Sequence, residues 1–65
     1  MSIDNLRVGK SYFLRNYQET ASFMVLEASG EKDFVVKDLL TLEIYKLSHL
    51  IRYGIGNDFE LRELD

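Results

Sequence analysis

A small all-β fold, a five-stranded barrel with one short helical or 3₁₀ turn before its last strand, is what this sequence predicts. Three observations carry the prediction. Short segments rich in β-branched and aromatic residues alternate apolar and polar side chains with a period of two. Polar connections, one containing Gly30, separate them at short intervals. Only the stretch Ser48 to Tyr53 combines a capping residue with helical apolar spacing.

The elements follow in order. Arg7 to Arg15 reads as a strand opened by Gly9, with Tyr12 and Leu14 on one side and Phe13 on the other. Asn16 to Glu19 is polar and turn-like, and Thr20 to Ala28 is the second strand, Phe23 and Val25 alternating against Met24 and Leu26. Both faces carry apolar groups, as expected of a small sheet that curls. Ser29 to Lys32 connects this strand to Asp33–Lys37, so residues 20–37 form a hairpin. Asp38 to Thr41 allows a turn into a fourth strand at 42–46. There Leu42, Ile44 and Lys46 alternate with Glu43, Tyr45 and Leu47, although Ile44, Leu47 and Ile51 also fit a helical face. In the turn over 48–53, Ser48 is the expected cap and Gly54 the expected terminator. The last strand, 58–63, sets Phe59 and Leu61 against Glu60 and Arg62.

With 65 residues, no proline, no internal repeat and no low-complexity run, residues 1–65 are expected to form one domain. A chain this short buries only roughly 60% of its unfolded surface, so its core is thin. No cysteine is present and His49 is the sole histidine, which leaves neither a disulfide nor a metal to reinforce it. Met1 to Asn5 is polar with no apolar stretch behind it, and no run approaches the roughly 18 apolar residues of a membrane span. A cytoplasmic protein without membrane contact is the expectation. Eight basic against eleven acidic residues give a net charge of −3, which disfavours binding driven by phosphate neutralisation.

Two phosphate-loop fragments need weighing. Gly54 and Gly56 have the spacing that begins G-x-G-x-x-G, but Phe59 stands at the third glycine and the turn precedes the pair where a helix should follow. A structural turn is the better reading. Gly9-Lys10-Ser11 matches the end of a P-loop whose first glycine would fall at Asp4, with no helix after it; Lys10 and Ser11 are expected on an exposed strand edge. His49 has no partner for a metal site, and no serine stands in a nucleophile elbow. No enzymatic activity, cofactor or metal is therefore expected. Among the aromatics, Phe13, Phe23, Phe34 and Phe59 read as core, while Tyr12, Tyr17, Tyr45 and Tyr53 combine a stacking face with a hydroxyl that prefers water. Tyr17, inside a polar turn, is either packed over the barrel mouth or offered to a partner.

Taken together, a strand opened by Val8-Gly9-Lys10, a hairpin, and a helical turn at 48–53 leading into a final strand resemble an SH3-like or Tudor-like barrel. The chain is also similar to small bacterial proteins that consist of one such barrel. The peptide-binding SH3 family carries a tryptophan and a proline-containing segment that this chain lacks, and its tyrosines do not match Tudor cage positions one by one. The resemblance implies a binding or adaptor domain working through loops and strand edges. The candidate binding residues are Arg7, Lys10, Tyr12, Arg15 and Tyr17. Their expected partner is a protein or a second copy of the chain, met at the edge near Arg7 to Arg15, with the acidic segment 58–65 of a second copy as one fit. The alternative is single-stranded nucleic acid, with Tyr12 or Tyr17 stacking on bases and Arg7, Lys10 and Arg15 tracking the backbone, a reading that the net charge disfavours.

Overall fold

The computed structural model describes residues 5–30 and 32–64. Strands β1 (Ser11–Asn16), β2 (Glu19–Ser29), β3 (Asp33–Asp38), β4 (Ile44–Lys46) and β5 (Glu60–Leu64) form one antiparallel sheet, and a 3₁₀ turn, Leu47–Ile51, stands between β4 and β5. Across the sheet the order is β4-β3-β2-β1-β5. Five strands and the turn before the last are as the sequence predicts, but β4 and β5 are the two edges of an open sheet.

Alternation builds the core. Tyr12, Leu14 and Asn16 of β1 point inward, and the register sets Tyr12 opposite Phe23 and Leu14 opposite Ala21. The Tyr12 and Phe23 rings lie 6.0 Å apart, within the range of a favourable aromatic pair. β2 shifts register between Val25 and Glu27, a bulge that bends the strand. Its first half pairs with β1 and its second with β3. Val36 of β3 and Leu61 of β5 complete the layer with Leu6 and Leu47, while Phe34, Tyr45, Leu50 and Phe59 pack around it. Each such apolar side chain contributes about 1.5–3 kcal/mol on full burial. Phe13, expected in the core, is half-buried on the opposite face, where the Arg62 guanidinium lies 4.8 Å from its ring centre.

Boundaries differ from expectation for identifiable reasons. β1 begins at Ser11 because Arg7 to Lys10 turns: the Lys10 amide donates to the Arg7 carbonyl at 3.2 Å, and Gly9 has φ +87°. β1 is flanked by β2 and β5, so the edge expected near Arg7 to Arg15 is an interior strand. β4 begins at Ile44 because Leu42 has φ +66°, which no strand residue adopts. Tyr45 and Leu47 face inward; Ile44 and Lys46 face out. Ser48 does not cap the 3₁₀ turn. Lys46 occupies the cap position without a side-chain bond, and Ser48 instead donates its amide (3.0 Å) and hydroxyl (2.9 Å) to Asp33, tying the turn to the start of β3. Burial raises the Asp33 pKa, but those bonds and one from the Phe34 amide outweigh it and hold the carboxyl below its usual range. Gly54 closes the turn as expected, its amide donating to the Ile51 carbonyl at 2.9 Å with φ +91°. No helix among the described residues is long and apolar enough to cross a membrane.

Candidate interaction surface

The β1–β2 connection is two residues long, and both Tyr17 (φ +51°) and Gln18 (φ +66°) are left-handed. Two positive φ values are the requirement of a type I′ turn, whose twist matches the flanking strands. Neither residue is glycine, so each bears a steric cost of about 1–2 kcal/mol. The Asp58 carboxylate offsets it from outside the hairpin, accepting the Tyr17 amide at 2.8 Å and the Gln18 amide at 2.7 Å. The Gln18 bond, followed by the Tyr17 bond and the nearby Arg15 charge, holds the Asp58 carboxyl below its ordinary pKa of 3.8 against a weaker opposing desolvation.

A second brace lies beside it. Asn16, 4% exposed, donates through Nδ2 to the Gly54 carbonyl at 2.9 Å and accepts the Gly56 amide on Oδ1 at 2.7 Å. The amide of Gly56 is thus engaged by a buried side chain, as a structural turn requires. A Cβ on Gly56 would stand 3.0 Å from Cδ1 and Cε1 of Tyr17, so the tyrosine ring lies directly on the glycine. The Tyr17 hydroxyl donates to the Tyr53 carbonyl at 3.3 Å.

These contacts frame a shallow depression of about 30 Å³ lined by Asn16, Tyr17, Glu19, Leu50, Arg52 and Tyr53. Tyr17 is 53% and Tyr53 77% exposed. The Arg52 guanidinium lies 4.9 Å from the Tyr53 ring centre and also donates to the His49 carbonyl at 2.5 Å, so it stiffens the rim. Its volume is room for about two water molecules. A surface of this shape offers faces and edges to a larger partner rather than enclosing a metabolite. Among the described residues, no three His, Cys, Asp or Glu side chains gather as metal ligands.

The residues singled out from sequence do not form one site. Tyr12 is fully buried, its hydroxyl accepting the Arg7 amide at 2.8 Å, so it belongs to the core and cannot stack on a partner. Arg7 and Lys10 are exposed in the turn before β1, Lys10 about 17 Å of extended chain from Arg15. Arg15 bonds Glu60 across the β1–β5 pair at 2.5 Å, with Glu60 also 3.7 Å from Arg62, so one of the three expected bases is paired locally. Tyr17 alone of the five lines the depression. Glu19 closes the same polar turn as Tyr17, whereas nothing in the sequence makes Leu50, Arg52 and Tyr53 its neighbours. The signal for Tyr53 is its place immediately before Gly54; Leu50 and Arg52 reach Tyr17 only through the fold.

Comparison of the chain with family models, with curated protein sequences and with solved structures finds no significant match.

Proposed function

We propose that the domain is a non-enzymatic protein-binding module of SH3-like type whose contact surface is the Tyr17–Tyr53 depression. One observation carries this reading: Tyr17, Arg52 and Tyr53 surround a hollow, with the backbone beneath held by Asn16 and Asp58, the Tyr17 hydroxyl bonded to the Tyr53 carbonyl and the Arg52 guanidinium against the exposed Tyr53 ring. Tyrosine and arginine are the residues most enriched at binding hot spots, and fixing them in advance lowers the entropy lost when a partner docks. Glu19 and Arg52 on the rim supply charges of both signs for register. The SH3-like assignment is supported by the hairpins, the 3₁₀ turn and the return of β5 beside β1. A cysteine-free chain suits the cytoplasm. Nucleic-acid binding is the weaker reading, since Tyr12 is buried and Arg15 is paired.

Selection of displayed random peptides on the folded domain, followed by amide-resonance titration, tests this. Selected peptides should shift Tyr17, Arg52 and Tyr53 at micromolar concentration and lose binding in Tyr53→Ser. A single-stranded oligonucleotide that shifts these resonances while no peptide does would overturn it.

A further inference from the structure

The two charges at the mouth of the tyrosine depression face it without neutralising each other. Glu19, the first residue of β2, and Arg52, which follows the 3₁₀ turn, both line the hollow and both are exposed. Neither belongs to an ion pair among the described residues, where the pairs join Glu60 to Arg15 and to Arg62. Arg52 is held back from Glu19 by its own turn: one guanidinium nitrogen donates to the His49 carbonyl at 2.5 Å, and the group lies 4.9 Å from the centre of the Tyr53 ring. A guanidinium fixed at one nitrogen keeps further donors, which a carboxylate accepts two at a time. Glu19 offers only acceptors, and the Tyr17 ring beside it adds an aromatic face for a cation.

The charges of the rim sum to zero, and that restricts what can lie across it. A partner with bases alone gains at Glu19 and is repelled at Arg52; one with acids alone meets the reverse. A partner with one of each gains at both. The hollow is too small to enclose a side chain of that kind, so the partner crosses it as an extended segment. On an extended chain, residues two apart point to the same side, about 7 Å from each other, a separation suited to charges that do not touch. We propose, on the reading that the depression is the contact surface, that its partner is an extended peptide segment carrying a base and an acid two residues apart. The base lies against Glu19 and the acid on Arg52, which makes these two side chains the specificity determinants of the site.

Four pools of acetylated, amidated heptapeptides test it, alike except for a central Lys-x-Glu, Glu-x-Lys, Lys-x-Lys or Glu-x-Glu, each titrated into the full chain and followed by amide resonances. A mixed pool should shift Tyr17, Arg52 and Tyr53 at concentrations about fivefold below those needed by either like-charged pool. Glu19→Lys should move the preference to Glu-x-Glu, Arg52→Glu should move it to Lys-x-Lys, and the two reversals together should return it to a mixed pool. Amide resonances of the sheet that keep their dispersion show that each variant folds. Equal shifts from all four pools, a wild-type preference for a like-charged pool, or preferences that the reversals do not move would each overturn this inference while leaving the depression a binding surface. No shift from any pool would remove both.

Discussion

The β1–β2 and β3–β4 turns both place non-glycine residues in the left-handed region, and they are held there by different means. At Tyr17 and Gln18 the braces come from far along the chain: Asp58 is 41 residues from Tyr17, and Asn16 reaches Gly56, 40 residues away. At Leu42 the brace is local. Asp38 accepts the Leu40 and Thr41 amides on Oδ1 at 2.8 and 2.9 Å, and its carbonyl accepts the Leu42 amide at 2.9 Å. Its Oδ2 accepts the Tyr45 hydroxyl at 3.0 Å, and burial first, then this bond, pushes the tyrosine pKa up to about 12. A locally braced turn forms with its own hairpin. A remotely braced turn couples the hairpin to the 52–59 segment, so disturbing either should disturb the tyrosine surface.

Breaking the remote brace should give the largest effect. Asn16→Ala removes one acceptor and one donor from two backbone groups that lie beneath the depression. Gly54 is exposed and Gly56 half-buried, so water replaces part of what is lost, and the variant should lose about 1–3 kcal/mol in urea unfolding. The Tyr17 and Tyr53 resonances should broaden while those of Leu42 hold still. Equal disturbance of both turns would show that the two are not independently braced.

The Asp58 contact sharpens the comparison through pH. Its carboxyl has a folded-state pKa lowered from 3.8, so the charged form stabilises the native state fully above the unfolded value. That contribution is lost as the pH falls through the lowered value. Asp58→Asn keeps one acceptor and turns an amide toward the other N–H. The stability gap between wild type and Asp58→Asn should therefore be widest at neutral pH and close below pH 3.8. Asp38 is also lowered, first by the Thr41 amide, so Asp58→Asn itself should still lose stability in acid. A gap that does not change with pH would mean that the carboxylate charge is irrelevant to the turn.

The same division explains what could be read in the sequence. The hairpin over 20–37 was legible because alternation and the Gly30 connection are local signals, and Gly54 was legible as a terminator. The polar turn at 16–19 was legible as a turn, but its type was not, because the usual Asn-Gly signature is replaced by Tyr17-Gln18 plus a carboxylate from elsewhere. Ser48 looked like a cap because capping is a local rule; the partner that claims it, Asp33, is 15 residues away. Tyr12 looked available for the same reason. Strand periodicity gives two faces and does not say which is inside, and only its pairing opposite Phe23 settles that its ring is core.

The smallest expected effect lies at the locally braced turn. Leu42→Gly relieves a left-handed backbone whose cost is about 1–2 kcal/mol for an L-residue. It also frees the unfolded chain, which returns roughly 0.5–1 kcal/mol of that gain. The Asp38 brace does not involve the Leu42 side chain and survives the substitution. The folded domain should accordingly gain about 0.5 kcal/mol, measured by urea unfolding. A loss of stability in Leu42→Gly, against the gain expected, would show that the half-exposed leucine side chain and not its backbone is what this turn depends on.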